Sequence, residues 1–177
     1  MLITNLLTIL NQFNLKKITI LIFVLFVFSW QSNAQFTQGF ETGIPATWTV
    51  INGGDANTWT ATTPGTGTAH TGTNVAKLVF GATAHDDYLI TEQFTVTAGV
   101  SDRLSLWHKQ RSNTFPEPFD VLLSAGGNTA PDFTITIAAA VASNTTWQQK
   151  TYDLTAYIGG TVYIAFRSTT TDQWELY

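Results

Sequence analysis

Apolar and polar positions alternate in short runs along most of this chain, and residues 147–168 show the pattern best. Val162, Ile164 and Phe166 fall on one side of an extended backbone and Tyr163, Ala165 and Arg167 on the other, the period-two signature of a half-buried strand. Gly159-Gly160 supplies a turn just before it, and residues 147–154 form a second polar-apolar stretch. The two segments are therefore expected to lie side by side in one sheet, with the Val162 series in the core and Arg167 in water.

The same period places other strands. Residues 36–40 predict a first strand, broken at Gly43-Ile44-Pro45, and residues 48–51 and 59–62 flank the loop 52–57. Residues 74–80, 88–96 and 104–110 follow, with Gly99 between the last two. After Phe115-Pro116-Glu117-Pro118, too proline-rich for an interior strand, residues 119–124 and 133–137 resume the alternation. Residues 138–142 read as either a strand tail or a short helix, and residues 172–177 open a last alternation. No segment after residue 35 has a helical period. Short strands with turn signals every eight to twelve residues predict an all-β chain folded as a β-sandwich.

Composition narrows this. With 177 residues, 44% of them hydrophobic and 13% aromatic, the chain suffices for one domain with a real core. Only 11% of residues are charged and Cys is absent, which favours an extracellular β-rich domain and excludes disulfides, a thiol nucleophile and lipid attachment through cysteine. Lys16-Lys17, the apolar run 18–30 and Ser32-Asn33-Ala34 predict a signal peptide over residues 1–34, cut after Ala34 or one residue later, leaving a domain from residue 35 to 177. An uncleaved anchor is the alternative, since residues 2–10 add apolar length upstream. Cleavage removes two of eight basic residues against twelve acidic ones, a net −6 that disfavours nucleic acid and anionic lipid as partners.

Four motifs in order carry a family resemblance. Phe40-Glu41-Thr42-Gly43-Ile44-Pro45-Ala46-Thr47-Trp48, Asp86-Asp87-Tyr88-Leu89-Ile90-Thr91, Leu104-Ser105-Leu106-Trp107 and the closing stretch 147–168 resemble the cleaved-adhesin, or choice-of-anchor J, domains of gingipain-type secreted bacterial proteins. The resemblance implies a jelly roll of the galactose-binding-like kind. It also implies that the strand opened at 172–177 continues, so that the chain stops within its last strand and further domains follow.

Chemistry is sparse. His70, His85 and His108 are scattered, and no HExxH, GxSxG or P-loop pattern occurs. His85 beside Asp86 and Asp87 could be a base with an orienting carboxylate, but reads more simply as polar loop ahead of a strand. The resemblance implies Ca²⁺ near the meeting of the first and closing strands, with Glu41, Asp86 and Asp87 as candidate ligands and Asp55 as a further oxygen source, although the loop at 55 lacks the EF-hand pattern. Trp48, Trp59, Trp107, Trp147 and Trp174 could fill a core or stack on sugars. Trp59, following a polar glycine-bearing loop, is the ligand-binding candidate. Lys109 reads, like Arg167, as solvated. These features point to a secreted or cell-surface, non-catalytic module that binds extracellular protein or glycan. The alternatives are an accessory, substrate-targeting domain of a larger secreted hydrolase, or a spacer without a ligand.

Overall fold

The structure, a computed structural model, describes residues 36–171 and 173–177, so the signal-peptide reading lies outside the described residues. The strands are β1 (Thr49–Ile51), β2 (Thr60–Thr62), β3 (Val75–Val79), β4 (Asp87–Ile90), β5 (Phe94–Thr95), β6 (Arg103–His108), β7 (Phe119–Ser124), β8 (Ile135–Val141), β9 (Gln148–Asp153), β10 (Thr161–Ser168) and β11 (Glu175–Leu176). Two 3-10 turns, Ala130–Asp132 and Thr155–Tyr157, are the helical elements of the described residues. None of these is long and apolar enough to cross a membrane.

One sheet runs β1-β4-β10-β7-β8, with β5 also on β10. The other is assembled from β11-β3-β2 and β6-β9. Lys109 and Tyr177 exchange backbone hydrogen bonds and the Arg111 N–H donates to the Glu175 carbonyl, which joins these pieces into one layer, β9-β6-β11-β3-β2. Every pairing is antiparallel. From β5 onward the chain passes repeatedly between the layers, and their facing side chains form one core: Ala76, Leu78 and Leu176 from the second sheet meet Leu89, Val121, Leu123, Val162 and Ile164 from the first. The all-β sandwich expected from the alternation is the observed fold.

Three expectations are corrected. β9 and β10 are not neighbours: β9 pairs with β6, while β10 pairs with β4 and β7. The connection is too long for a tight hairpin. Buried Leu154, the 3-10 turn and Gly159 at φ +88 form an arch to the opposite sheet, clamped where Gly159 N–H donates to Val96 and Val96 N–H to Gly160. Residues 36–40 form no strand. Phe36 and Phe40 instead pack edge-on against Trp48, with centroids 6.1 and 5.7 Å away, and the left-handed φ of Phe40 (61°) and Gly43 (105°) bends the backbone out of any ladder.

The third correction is that β10 is buried on both faces. Ala165 sits in a second apolar cluster with Tyr88, Ile90 and Leu122, against which Ala130 and Phe133 pack from the β7–β8 connection. Residues 138–141 prove to be strand tail, with irregular register against β7, and Ala142 lies just beyond it. There Ala140 takes a φ of 47° and its N–H donates to Asp120 Oδ1 at 2.8 Å, as expected where an extra residue bulges a strand.

Candidate functional site

The segment entering β4 and the loop 52–57 build the most concentrated polar site. Period two along 85, 87 and 89 turns His85 and Asp87 to the same side as the core residue Leu89, while Asp86 faces outward with Tyr88. The loop is pinned from both sides: Gly53 N–H donates to Asp87 Oδ1 at 2.8 Å and Asp86 N–H to the Gly53 carbonyl at 2.7 Å. At Gly54, φ is +92° and an added Cβ would lie 2.1 Å from the Ala84 carbonyl, so the close approach of loop and strand requires glycine.

That approach folds Asp55 inward. Asp55 Oδ1 lies 3.1 Å and Asp87 Oδ2 3.5 Å from His85 Nδ1, with side-chain exposures of 5%, 0% and 1% for Asp55, Asp87 and His85. Asp55 Oδ2, Asp87 Oδ2 and His85 Nε2 are buried without hydrogen-bond partners. Burial pushes the Asp87 carboxyl pKa up, opposed by the Gly53 amide and by His85. Nearby, buried Glu117 accepts hydrogen bonds from Ser168 Oγ at 2.6 Å and from Thr170 Oγ1, and the Thr170 carbonyl accepts the His85 N–H.

The four carboxylates expected to share a calcium site occupy three places. Glu41 accepts the backbone N–H groups of Thr73 and Asn74 at 2.9–3.1 Å. Asp86 pairs with Arg167 Nε at 2.7 Å. Only Asp55 and Asp87 converge, and their third partner is His85, which had been read as polar loop. The alternation 85-87-89 was the signal that could have found it. Calcium takes six to eight oxygens, from carboxylates, backbone carbonyls and water. Two carboxylates converge with a nitrogen, and Asp87 Oδ1 and Asp55 Oδ1 already accept from Gly53 and Asn57.

The aromatic expectations also change. Trp59 is 5% exposed and part of the core, so it offers no surface for a ligand. Among the described residues the exposed indoles are Trp107 (42%) and Trp174 (38%). Trp107 stacks on His70 at 3.9 Å, and Trp174 stacks on Phe115 at 5.3 Å with the Arg111 guanidinium 4.8 Å from its ring. Lys109, expected in water, is 5% exposed. Its ammonium donates to the Thr66 and Thr68 carbonyls at 2.9 and 3.3 Å and lies 5.1 and 5.0 Å from the Trp147 and Tyr177 rings, and burial pushes its pKa down.

The sequence profile of the Cleaved Adhesin Domain family matches residues 34–177. The chain belongs to this family. Hemagglutinin A of Porphyromonas gingivalis is 34% identical over 157 residues, covering 74% of this chain and 6% of that protein. Lys-gingipain W83 of the same organism is 34% identical over 157 residues, covering 73% and 9%. The chain thus spans less than a tenth of the length of these relatives. Among solved structures, the K3 and K1 cleaved adhesin domains of Lys-gingipain from P. gingivalis W83 superpose with TM-scores of 0.68 and 0.67 at 27% identity, covering 80% and 78% of this chain and 93% and 90% of those domains.

Within this cleaved adhesin domain the family motifs have physical roles. Asp86-Asp87-Tyr88-Leu89-Ile90-Thr91 is β4 and its flanks: Asp87 secures the loop at 53, Leu89 enters the core, and Thr91 exchanges two hydrogen bonds with Ile164, through its N–H and its hydroxyl. The chain is an adhesin module by family.

Proposed function

We propose that this cleaved adhesin domain is a non-catalytic binding module of a longer secreted or cell-surface protein and that it recognises an extracellular protein or glycan. The observation that supports this most directly is the patch of Phe115, Trp174 and Arg111. Two large aromatic side chains stand stacked and exposed on loops beside a guanidinium that Glu175 Oε1 orients at 3.0 Å. Aromatic residues and arginine are the side chains most enriched at binding hot spots, and a flat exposed indole also suits a sugar ring. The name of one relative, a hemagglutinin, supplies a first probe: red cells. Fluorescently labelled full chain should bind washed red cells, and Trp174→Ala with Phe115→Ala should weaken that binding at least tenfold while the fold is kept. Binding unchanged by the double substitution would remove the patch from the interaction.

The second reading, a targeting domain attached to a secreted hydrolase, draws support from the likeness to Lys-gingipain. Sequencing the gene beyond residue 177 separates the two: a hydrolase domain in the same chain favours targeting, and further adhesin repeats favour adhesion.

A further inference from the structure

We propose that the lane between β3 and β6 is a docking groove for an extended peptide strand of a partner protein, taken up by backbone pairing on both sides. This surface is distinct from the aromatic patch, and it rests on the reading above only for the partner's being extracellular. The second layer places β11 between β3 and β6 at one end. Glu175 and Leu176 pair with Val79 and Leu78 of β3, and on the other side Glu175 and Tyr177 bond to Arg111 and Lys109, just past β6. Further along, among the described residues, β3 from Val75 to Lys77 has β2 as its ladder partner on one side, and β6 from Arg103 to Trp107 has β9 on one side. Their facing edges carry unpaired N–H and carbonyl groups, the template that recruits another strand.

Geometry fixes the width and direction of the lane. Neighbouring strands lie about 4.8 Å apart, so β3 and β6, spaced by β11, leave the width of one strand between them. β11 runs antiparallel to β3 and to the continuation of β6 at Gln110. A strand in the lane can therefore pair antiparallel with both neighbours at once, whereas the outer edges at β2 and β9 offer a ladder on one side. Beneath it lies a cavity of about 590 Å³, bordered by Val75 and Ala76 of β3 and Leu104 and Leu106 of β6, with Leu89 and Phe166 of the opposite sheet in its walls. Trp59 and His108 also line it, and their Nε1 and Nε2 atoms are buried without partners.

The chemistry of the occupant follows from these walls. Successive side chains of a strand point to opposite faces, so every second residue of the partner enters the cavity and is apolar, with a hydroxyl suited to the orphan nitrogens. The residues between them stand on the outer face. There Lys77, alternating with the core residues Ala76 and Leu78, and exposed Ser105 flank the lane, so polar residues fit and an acidic one beside Lys77 forms an opposite-charge cross-strand pair. Backbone bonds supply affinity, and the cavity supplies the choice of side chain.

The test offers the full chain a labelled synthetic peptide that alternates valine with threonine and glutamate. Fluorescence anisotropy should saturate at one peptide per chain, and amide exchange across residues 75–77 and 103–107 should slow by roughly tenfold or more. The same peptide with proline at its centre, which removes a ladder donor, should not bind. Leu106→Arg should abolish binding, and Trp174→Ala with Phe115→Ala should leave it intact, so peptide binding and red-cell binding report on different surfaces. Exchange unchanged at both stretches, protection confined to the outer edges of β2 or β9, or equal binding of the proline peptide would overturn the groove. So would a longer chain, expressed from the gene past residue 177, whose own residues protect the lane and exclude the peptide, since the sheet is then closed within one molecule. Should Leu106→Arg fail to fold, the exchange map of the unsubstituted chain decides.

Discussion

Strands β10 and β6 alternate equally well in sequence, yet they live in different surroundings. β10 lies between β4 and β7 in the middle of its sheet, and its side chains enter two apolar clusters, Val162 and Ile164 on one side and Ala165 on the other. β6 pairs along its length only with β9, and its inward residues Leu104 and Leu106 are partly buried beside a cavity of about 590 Å³ whose walls include Phe36, Trp48, Phe94 and Phe166. Its outward residues Arg103, Ser105 and Trp107 are exposed. Alternation therefore reports which side a residue points to, and distant connections decide whether that side is dry. Residues 130–133 cover β10, while the loop 63–74 reaches only the far end of β6, where His70 stacks on Trp107, and its continuation at Lys109.

The largest effect should come from placing a charge on the two outward faces. Ala165→Asp buries an unpaired carboxylate and should cost more than about 4 kcal/mol or prevent folding, whereas Ser105→Asp should stay within about 0.5 kcal/mol. Urea melts of both variants read this directly, and equal tolerance would mean that the outer face of β10 is wet. Inward truncations come next. Ile164→Ala should cost about 2–5 kcal/mol and Leu106→Ala distinctly less, about 1–2 kcal/mol, because a partly exposed residue beside a cavity loses fewer contacts. A reversed order in the same melts would show that the cavity is filled.

What was legible in the sequence follows from the same contrast. The strand positions at 49–51, 103–108, 119–124 and 161–168, the all-β class and the family motifs could be read because they depend on local period and short spacings. The arch from β9 to β10 could not, since Gly159-Gly160 serves a hairpin and a crossing alike. At the candidate site, Asp55 and Asp87 were singled out as ligands while His85, weighed as a base, was read as loop, because a polar residue facing inward looks like loop until its covering segment is known. Lys109 and Arg167 were misread for the same reason: the carbonyls of Thr66 and Thr68, and the Asp86 carboxylate, lie far from them in the chain.

The lysine pair on β9 and beyond β6 gives a smaller test. Lys109→Met removes two hydrogen bonds from a charged donor to loop carbonyls and should cost about 1.5–3 kcal/mol. Lys150, exposed on β9, should be neutral to the same change within about 0.5 kcal/mol. If both prove neutral in thermal melts, the loop 63–74 is held by its other contacts, the bond from Trp147 Nε1 to the Thr68 carbonyl at 3.0 Å and that from Gly65 N–H to Tyr177 Oη at 2.9 Å.

The smallest expected effect sits at the end of β6, where its inward face finally becomes dry. His108 is buried, its Nδ1 lies 2.7 Å from Ser143 Oγ, and its pKa is lowered by burial first and by the charge of Lys150 second. A histidine whose pKa is depressed in the fold binds its proton more readily when unfolded, so the unfolded state gains protons first as the pH falls. Stability should therefore decline once the pH drops below the ordinary histidine value of about 6.5, and the decline should level off below the depressed folded value. The informative quantity is the difference between the unsubstituted chain and His108→Gln in urea melts from pH 7.5 to pH 5. His108→Gln should flatten the slope, and Lys150→Gln should reduce it slightly by removing the secondary repulsion. An identical slope in His108→Gln would mean that water reaches the imidazole, and that β6 is wet along its whole inward face.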